Sequence, residues 1–226
     1  MTDTTNMDFL RNFPLFDCLT EEDFSIMEKM VESHTKPKYS FLYLTDEPSD
    51  AIYFLSKGII KTGTHSDDGR EVIKSILHPV SMFGELGLVG EHNRTEFARA
   101  MNQEVKFCTI KVKDFKRLMF RNHDLSMKIM EIVGNRLMKA ETRLEALIFK
   151  DARARIIDFL KDSVTRRGRK VGYEMLLKHC LTQQDIANIT GTSRQTVTSV
   201  LNELRKENLI YFNRRTILIR DMERLA

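Results

Sequence analysis

Cysteine is scarce in this chain and long apolar runs are missing, and each shortage removes a class of protein. Cys18, Cys108 and Cys180 are the three cysteines among 226 residues. They are scattered, with no Cys-x-x-Cys pair, which excludes a disulfide framework, a zinc site and an iron–sulfur cluster. Of the six histidines, His179 adjoins Cys180, but a lone adjacent pair cannot fill a tetrahedral site, so no metal is expected. No stretch approaches the ~20 apolar residues a membrane helix needs. The segment Met1 to Asn12 lacks a basic-then-apolar secretion pattern, so a cytoplasmic protein without a membrane partner is expected. No internal repeat or low-complexity segment is visible, and no nucleophile–base or carboxylate pair stands at motif spacing, which argues against an enzyme.

What is present is an ordinary globular composition, 42% hydrophobic and 30% charged, long enough for two small domains. The net charge of +4 hides an asymmetry. From Lys150 onward there are 16 Lys and Arg against 9 Asp and Glu, whereas the preceding part has 20 against 23. A basic C-terminal third on a mildly acidic body is the footprint of polyanion binding by one domain.

The hydrophobic pattern changes along the chain. Residues 9–34 read as helical, with a capping-box-like Thr20-x-x-Asp23 and an end near Ser33. Between Tyr39 and Ile110 come short apolar runs, 41–44, 51–55, 59–64, 72–77 and 105–110, separated by turns, with Asp68-Gly69 the clearest hairpin. This predicts a β-sandwich or roll. Residues 119–149 form the longest helical pattern, and Met130, Val133, Leu137, Ala140, Leu144 and Leu147 recur at spacings of 3 and 4. Such a seam predicts a dimerisation helix, with self as partner. Leu125, Ile129 and Ile132 lie beside it and suit packing on the β domain. A further helix through Ile156, Ile157 and Leu160 precedes a basic loop, 165–170, and the chain ends in two short helices and a hairpin, Leu209 to Arg220. The predicted division is 1–118 as a β-roll sensor, 119–149 as the dimer helix and 150–226 as a winged helix-turn-helix, an α+β fold.

The sharpest signal lies in this last part. Thr182 caps a helix carrying Ile186 and Ala187, Gly191 breaks it, and Ser193 caps the next, which carries Val197, Val200, Leu201 and Leu204. A small residue, a glycine four later and a buried aliphatic six after that let two short helices cross steeply. With those aliphatics inward, Arg194, Gln195, Thr198, Ser199 and Asn202 face outward. Arg194 is chemically suited to guanine O6 and N7, and Gln195 to adenine N6 and N7. Thr182, Ser193 and Thr196 suit phosphate oxygens. The tip Asn213-Arg214-Arg215 would form a wing on the backbone of double-stranded DNA.

Two segments carry a family resemblance over nearly the full length. Leu181-Thr182-Gln183-Gln184-Asp185-Ile186-Ala187, followed by Gly191-Thr192-Ser193-Arg194-Gln195-Thr196-Val197, resembles the DNA-reading segment of the CRP/FNR regulators. Phe83-Gly84-Glu85-Leu86-Gly87-Leu88, with Asn93-Arg94-Thr95 and Ala98-Arg99-Ala100, resembles the phosphate-binding cassette of cyclic-nucleotide sensors. The resemblance implies a bacterial homodimeric transcription regulator with RNA polymerase as a further partner. It also implies an effector site at Gly84, Glu85, Leu86, Arg94 and Thr95, with Arg94 and Thr95 on a cyclic phosphate and Glu85 on a ribose hydroxyl. Departures accompany it. Ala140 and Glu141 stand where cyclic-AMP-responsive members place hydroxyls, Thr142 is one residue off, and the stretch from Leu86 to Arg94 is one residue short. Gln195 and Ser199 replace the familiar glutamate and second arginine, implying a different operator. A cyclic nucleotide, another effector and effector-independent activity all stay open, as does an Arg94–Glu85 ion pair in a merely structural turn. The rival function is a cyclic-nucleotide-binding module acting on a protein partner.

Overall fold

The structure, a computed structural model, describes residues 4–225 and divides into two compact units. One takes in the chain up to Gly69 and Lys74–Met138, the other Arg70–Ile73 and the chain from Lys139 onward.

The N-terminal part begins with α1 (Thr4–Arg11), a 3-10 turn at Pro14–Phe16 and α2 (Glu21–Glu28). The predicted capping box opens α2, with Thr20 accepting from the Asp23 N–H and the Asp23 carboxylate accepting from the Thr20 N–H. Eight strands follow, β1 (Val31–Lys36), β2 (Phe41–Tyr43), β3 (Ala51–Lys57), β4 (Ile60–His65), β5 (Glu71–Leu77), β6 (Ser81–Phe83), β7 (Phe97–Ala100) and β8 (Val105–Lys111). A 3-10 segment at Glu85–Val89 separates β6 from β7. The strands form two sheets, ordered β1-β8-β3-β6 and β2-β7-β4-β5. Each of the five predicted apolar runs overlaps a strand, with Leu44 and Ile59 falling just outside.

Strand β3 sits between two cores, and its period-2 alternation divides its side chains between them. Ile52 and Phe54 join Phe13, Phe16, Phe115, Leu118, Leu125 and Ile129. Leu55 joins Tyr43, Ile60, Phe83, Val105 and Phe107, with Tyr53 packed against them. Burial on both faces explains why 51–55 reads as a nearly continuous apolar run.

Several expectations need correction. No helix reaches Ser33, because Val31–Lys36 pairs in full register with β8, from Val31 opposite Ile110 to Lys36 opposite Val105. Only Val31 of this strand is buried, so its backbone pairing left no hydrophobic pattern to read. The helical stretch from residue 119 is two helices, α3 (Val112–Arg121) and α4 (His123–Phe149). Asn122 between them is extended, and its Oδ1 accepts from the Leu125 N–H, capping the new helix. The basic 165–170 loop is not a loop. Its first three residues close α5 (Ala152–Arg167), and Arg169–Val171 is strand β9.

The second unit continues with β10 (Glu174–Lys178), α6 (Gln183–Thr190), α7 (Arg194–Lys206), β11 (Ile210–Phe212) and β12 (Thr216–Ile219). Its sheet is antiparallel in the order β11-β12-β10-β9. Helices α5, α6 and α7 pack together through Ile156, Leu160, Ile186, Ala187, Val197 and Leu204, all buried.

Gly191 ends α6 at φ 63, ψ 45, the left-handed conformation a side chain resists. A Cβ there would also lie 2.9 Å from Leu147 Cδ2. Gly191→Ala should therefore lower stability by roughly 1–2 kcal/mol, read as a reduced denaturation midpoint at unchanged m-value; an unchanged midpoint would show that the turn relaxes freely.

Candidate nucleic-acid interface and sensor cradle

Side-chain caps open both α6 and α7. Thr182 Oγ1 accepts from the Asp185 N–H at 3.0 Å, and the Asp185 carboxylate accepts from the Thr182 N–H at 2.9 Å. Ser193 Oγ accepts from the Thr196 N–H at 3.0 Å, opening α7. Val197, Val200, Leu201 and Leu204 are buried, as the 3-4 spacing requires. The opposite face presents Arg194, Gln195 and Ser199 to solvent, with Thr182, Gln184 and Ser193 exposed beside them. Thr196 and Gln183 are half-buried. Thr198 and Asn202, expected to face outward, are half-buried too. Thr198 Oγ1 donates to Gln183 Oε1 at 2.6 Å, so this pair ties α6 to α7.

An arginine that the sequence did not single out locks the turn. Arg155, on α5, donates from Nε to the Thr190 carbonyl at 2.8 Å and from Nη2 to the Gly191 carbonyl at 3.1 Å. Its Nη1 donates to the Lys150 carbonyl at 2.7 Å. A cation is well placed at the C-terminal end of α6, where carbonyls lack helical partners. Arg153 pairs with Glu203 at 3.2 Å and Glu207 at 3.0 Å on α7.

Asn213, Arg214 and Arg215 form the exposed tip between β11 and β12. Asn213 Oδ1 accepts from the backbone N–H groups of Arg215 and Thr216, at 2.9 and 3.0 Å. Asn213 therefore shapes the tip, and the two arginines are what it presents.

In the β-roll, Gly84 adopts φ 73, and a Cβ there would stand 2.9 Å from Arg94 Nη1. Arg94 is 2% exposed. Its Nη1 donates to the Gly84 carbonyl at 2.9 Å and Nη2 to the Ala51 carbonyl. The guanidinium carbon lies 4.5 Å from the Tyr43 ring centroid and 5.5 Å from that of Tyr53. An Arg94–Glu85 pair is not what forms. Glu85, 1% exposed, pairs with Arg136 of α4, which also donates to the Met82 carbonyl. The carboxylate nearest Arg94 is Glu91, at 4.0 Å. Thr95 donates to that carboxylate as well, from its N–H at 3.0 Å and from Oγ1 at 2.7 Å. Burial pushes the Glu91 carboxyl up, but hydrogen bonds from Thr95 and Ser49 and the charge of Arg94 outweigh it and hold the group below the usual carboxylate range. Leu86 is exposed. Ala140 and Glu141 are exposed on α4.

Along α4, Met130, Leu137, Leu144 and Leu147 are exposed, Leu137 and Leu144 by 60% each, and Ala140 is exposed among them. Val133 departs from the seam, packing partly with Ile132 against the core that buries Leu125 and Ile129. Among the described residues no cluster of metal ligands occurs and no helix is long and apolar enough to cross a membrane.

A β-roll with a donor cradle, a long helix with an exposed apolar stripe and a winged helix-turn-helix make up the architecture. Residues 34–122 match the cyclic nucleotide-binding domain and residues 154–226 the Crp-like helix-turn-helix domain. A CRP-like cAMP-activated global transcriptional regulator of Mycobacterium tuberculosis is 28% identical over 212 residues, covering 94% of each chain. The global nitrogen regulator of Synechocystis is 26% identical over 195 residues, covering 86% of each. Among solved structures, a CooA variant from Carboxydothermus hydrogenoformans shares the fold at a TM-score of 0.79 and 23% identity, covering 100% of this chain and 96% of that one. The chain belongs to the CRP/FNR family of transcription regulators.

Because Arg155 gives its donors to carbonyls at the turn, it is assigned as a positioning residue. Arg155→Met should cost about 1–3 kcal/mol of stability and weaken specific and random DNA by similar factors. Selective loss on one sequence class, at unchanged stability, would place Arg155 in base reading instead.

Proposed function

We propose that the protein is a homodimeric regulator that reads a two-fold symmetric operator with α7 in the major groove, tunes that reading through a small effector in the β-roll, and works with RNA polymerase at promoters. The observation that carries this is the outward Arg194-Gln195 pair at the start of α7, a helix whose other face is buried and whose entry turn is locked. Arg194 reads guanine by two parallel hydrogen bonds and Gln195 reads adenine. Thr182, Gln183, Gln184, Ser193, Thr196 and Ser199 line the approach to the backbone, with Arg214 and Arg215 on the flanking phosphates. The sensor is the β-roll segment, residues 1–118. The dimer helix of 119–149 takes its regular form from His123, and the reader is 150–226. Two copies pair through Met130, Leu137, Ala140, Leu144 and Leu147, with Val133 shared between this seam and its own core. Half-sites then fall about one helical turn apart.

Arg194→Ala should cost ~1–3 kcal/mol on the operator and little on random DNA, measured by competition titration; equal loss on both would remove it from base reading. Arg214→Ala and Arg215→Ala should weaken both classes and each reduce the salt slope by about one unit. Replacing Leu137 and Leu144 with glutamate should give monomers by sedimentation, with operator affinity lost; a dimer that persists refutes the seam.

A further inference from the structure

The donors around Glu91 form an anion cradle, and its occupant is one of the chain's own side chains. Ser49 Oγ donates to Glu91 Oε2 at 2.7 Å, while Thr95 supplies its N–H at 3.0 Å and its hydroxyl at 2.7 Å to Oε1. Arg94 Nη1 stands 4.0 Å from Oε2, with the two side chains 1% and 10% exposed. Two carboxylate oxygens thus take donors that two phosphate oxygens would otherwise take.

The loop is built to hold Glu91 there. Gly90 lies at φ 106, a conformation that turns the chain back, and the Glu91 N–H donates to the Leu86 carbonyl at 3.0 Å. The residues on either side are pinned to the 46–49 turn. The Ser49 N–H donates to the His92 carbonyl at 2.8 Å, the Arg94 N–H to the Glu47 carbonyl at 2.8 Å, and the Asp46 N–H to the Arg94 carbonyl at 2.9 Å. A tethered carboxylate competes at a high effective concentration that a free ligand must exceed. A ligand phosphate brought alongside it would also face a like charge within a few ångströms in a poorly solvated site.

We propose that Glu91 determines ligand specificity in the β-roll, acting as a built-in counter-anion to Arg94 that also takes the donors of Thr95 and closes the cradle to cyclic phosphates. The inference rests on the effector-pocket reading given above. It adds which ligands that pocket refuses, and it identifies the side chain responsible.

Calorimetry on the full-length protein tests this, with cyclic AMP and cyclic GMP titrated into wild type, Glu91→Gln, Glu91→Ala and the double variant Glu91→Ala with Thr95→Val. The wild type should bind neither nucleotide measurably at millimolar concentration. Glu91→Ala should bind at least one of them about ten-fold more tightly or better, Glu91→Gln should gain less because the amide still fills the cradle, and Thr95→Val should take the gain away. Wild-type binding as tight as that of Glu91→Ala overturns the proposal. So does the absence of any gain in both single variants, with Glu91→Gln carrying the test should the alanine variant fail to fold. Operator binding is measured on the same preparations. A nucleotide gain without any operator binding would sink the regulator reading and leave the specificity role standing.

Discussion

Among the described residues, four arginines reach across the chain to donate to backbone carbonyls of distant segments, and both functional regions depend on these bonds. Arg94 serves Gly84 and Ala51, Arg136 serves Met82, Arg99 serves Tyr39 at 2.9 Å, and Arg155 serves Lys150, Thr190 and Gly191. Guanidinium suits the task because its donors spread in a rigid plane, so one side chain pins two or three acceptors from different segments. A buried carbonyl without a donor would cost about 1–3 kcal/mol. Both functional regions stand on such a bond set. The turn between α6 and α7 keeps its geometry through Arg155, and the wall of the β-roll cradle keeps its shape through Arg94.

This internal use of arginine changes the electrostatic picture. The surplus of basic residues after Lys150 overstates what faces a polyanion, since Arg153 and Arg155 are engaged with the protein itself. Arg194, Arg214 and Arg215 are among the basic side chains that stay exposed, on the first turn of α7 and on the wing tip. Arg169, Lys170, Arg205 and Lys206 are exposed as well, so bulk attraction to a polyanion stays available beside the hydrogen-bonding face of α7.

The elements that were legible beforehand are those whose side chains report their own environment. Strand β3 alternates between two cores, α7 shows a 3-4 stripe, and Thr20, Thr182 and Ser193 are caps whose partners lie three residues away. Strand β1 was missed because polar residues build most of it and the backbone of a distant neighbour defines it, Cys108 opposite Ser33, while β9 is a short, basic strand whose partner β10 lies across a tight turn, Val171 opposite Glu174. Asn122 was missed as a helix break because Leu118 and Leu125, both buried, keep a helical seven-residue spacing across it.

By itself the sequence determined the class of the molecule. Periodicity, the Gly191 break and the Ser193 cap are local properties, so a β-roll, a long helix with an apolar seam and an outward Arg194-Gln195 pair follow from neighbours a few residues apart. Only the tertiary structure decided the chemistry of the cradle. Ser49 and Glu91 are 42 residues apart, and Glu85 and Arg136 are 51 apart. Charge and hydrogen-bond partners across such distances are chosen by chain folding, which no pattern of adjacent residues encodes.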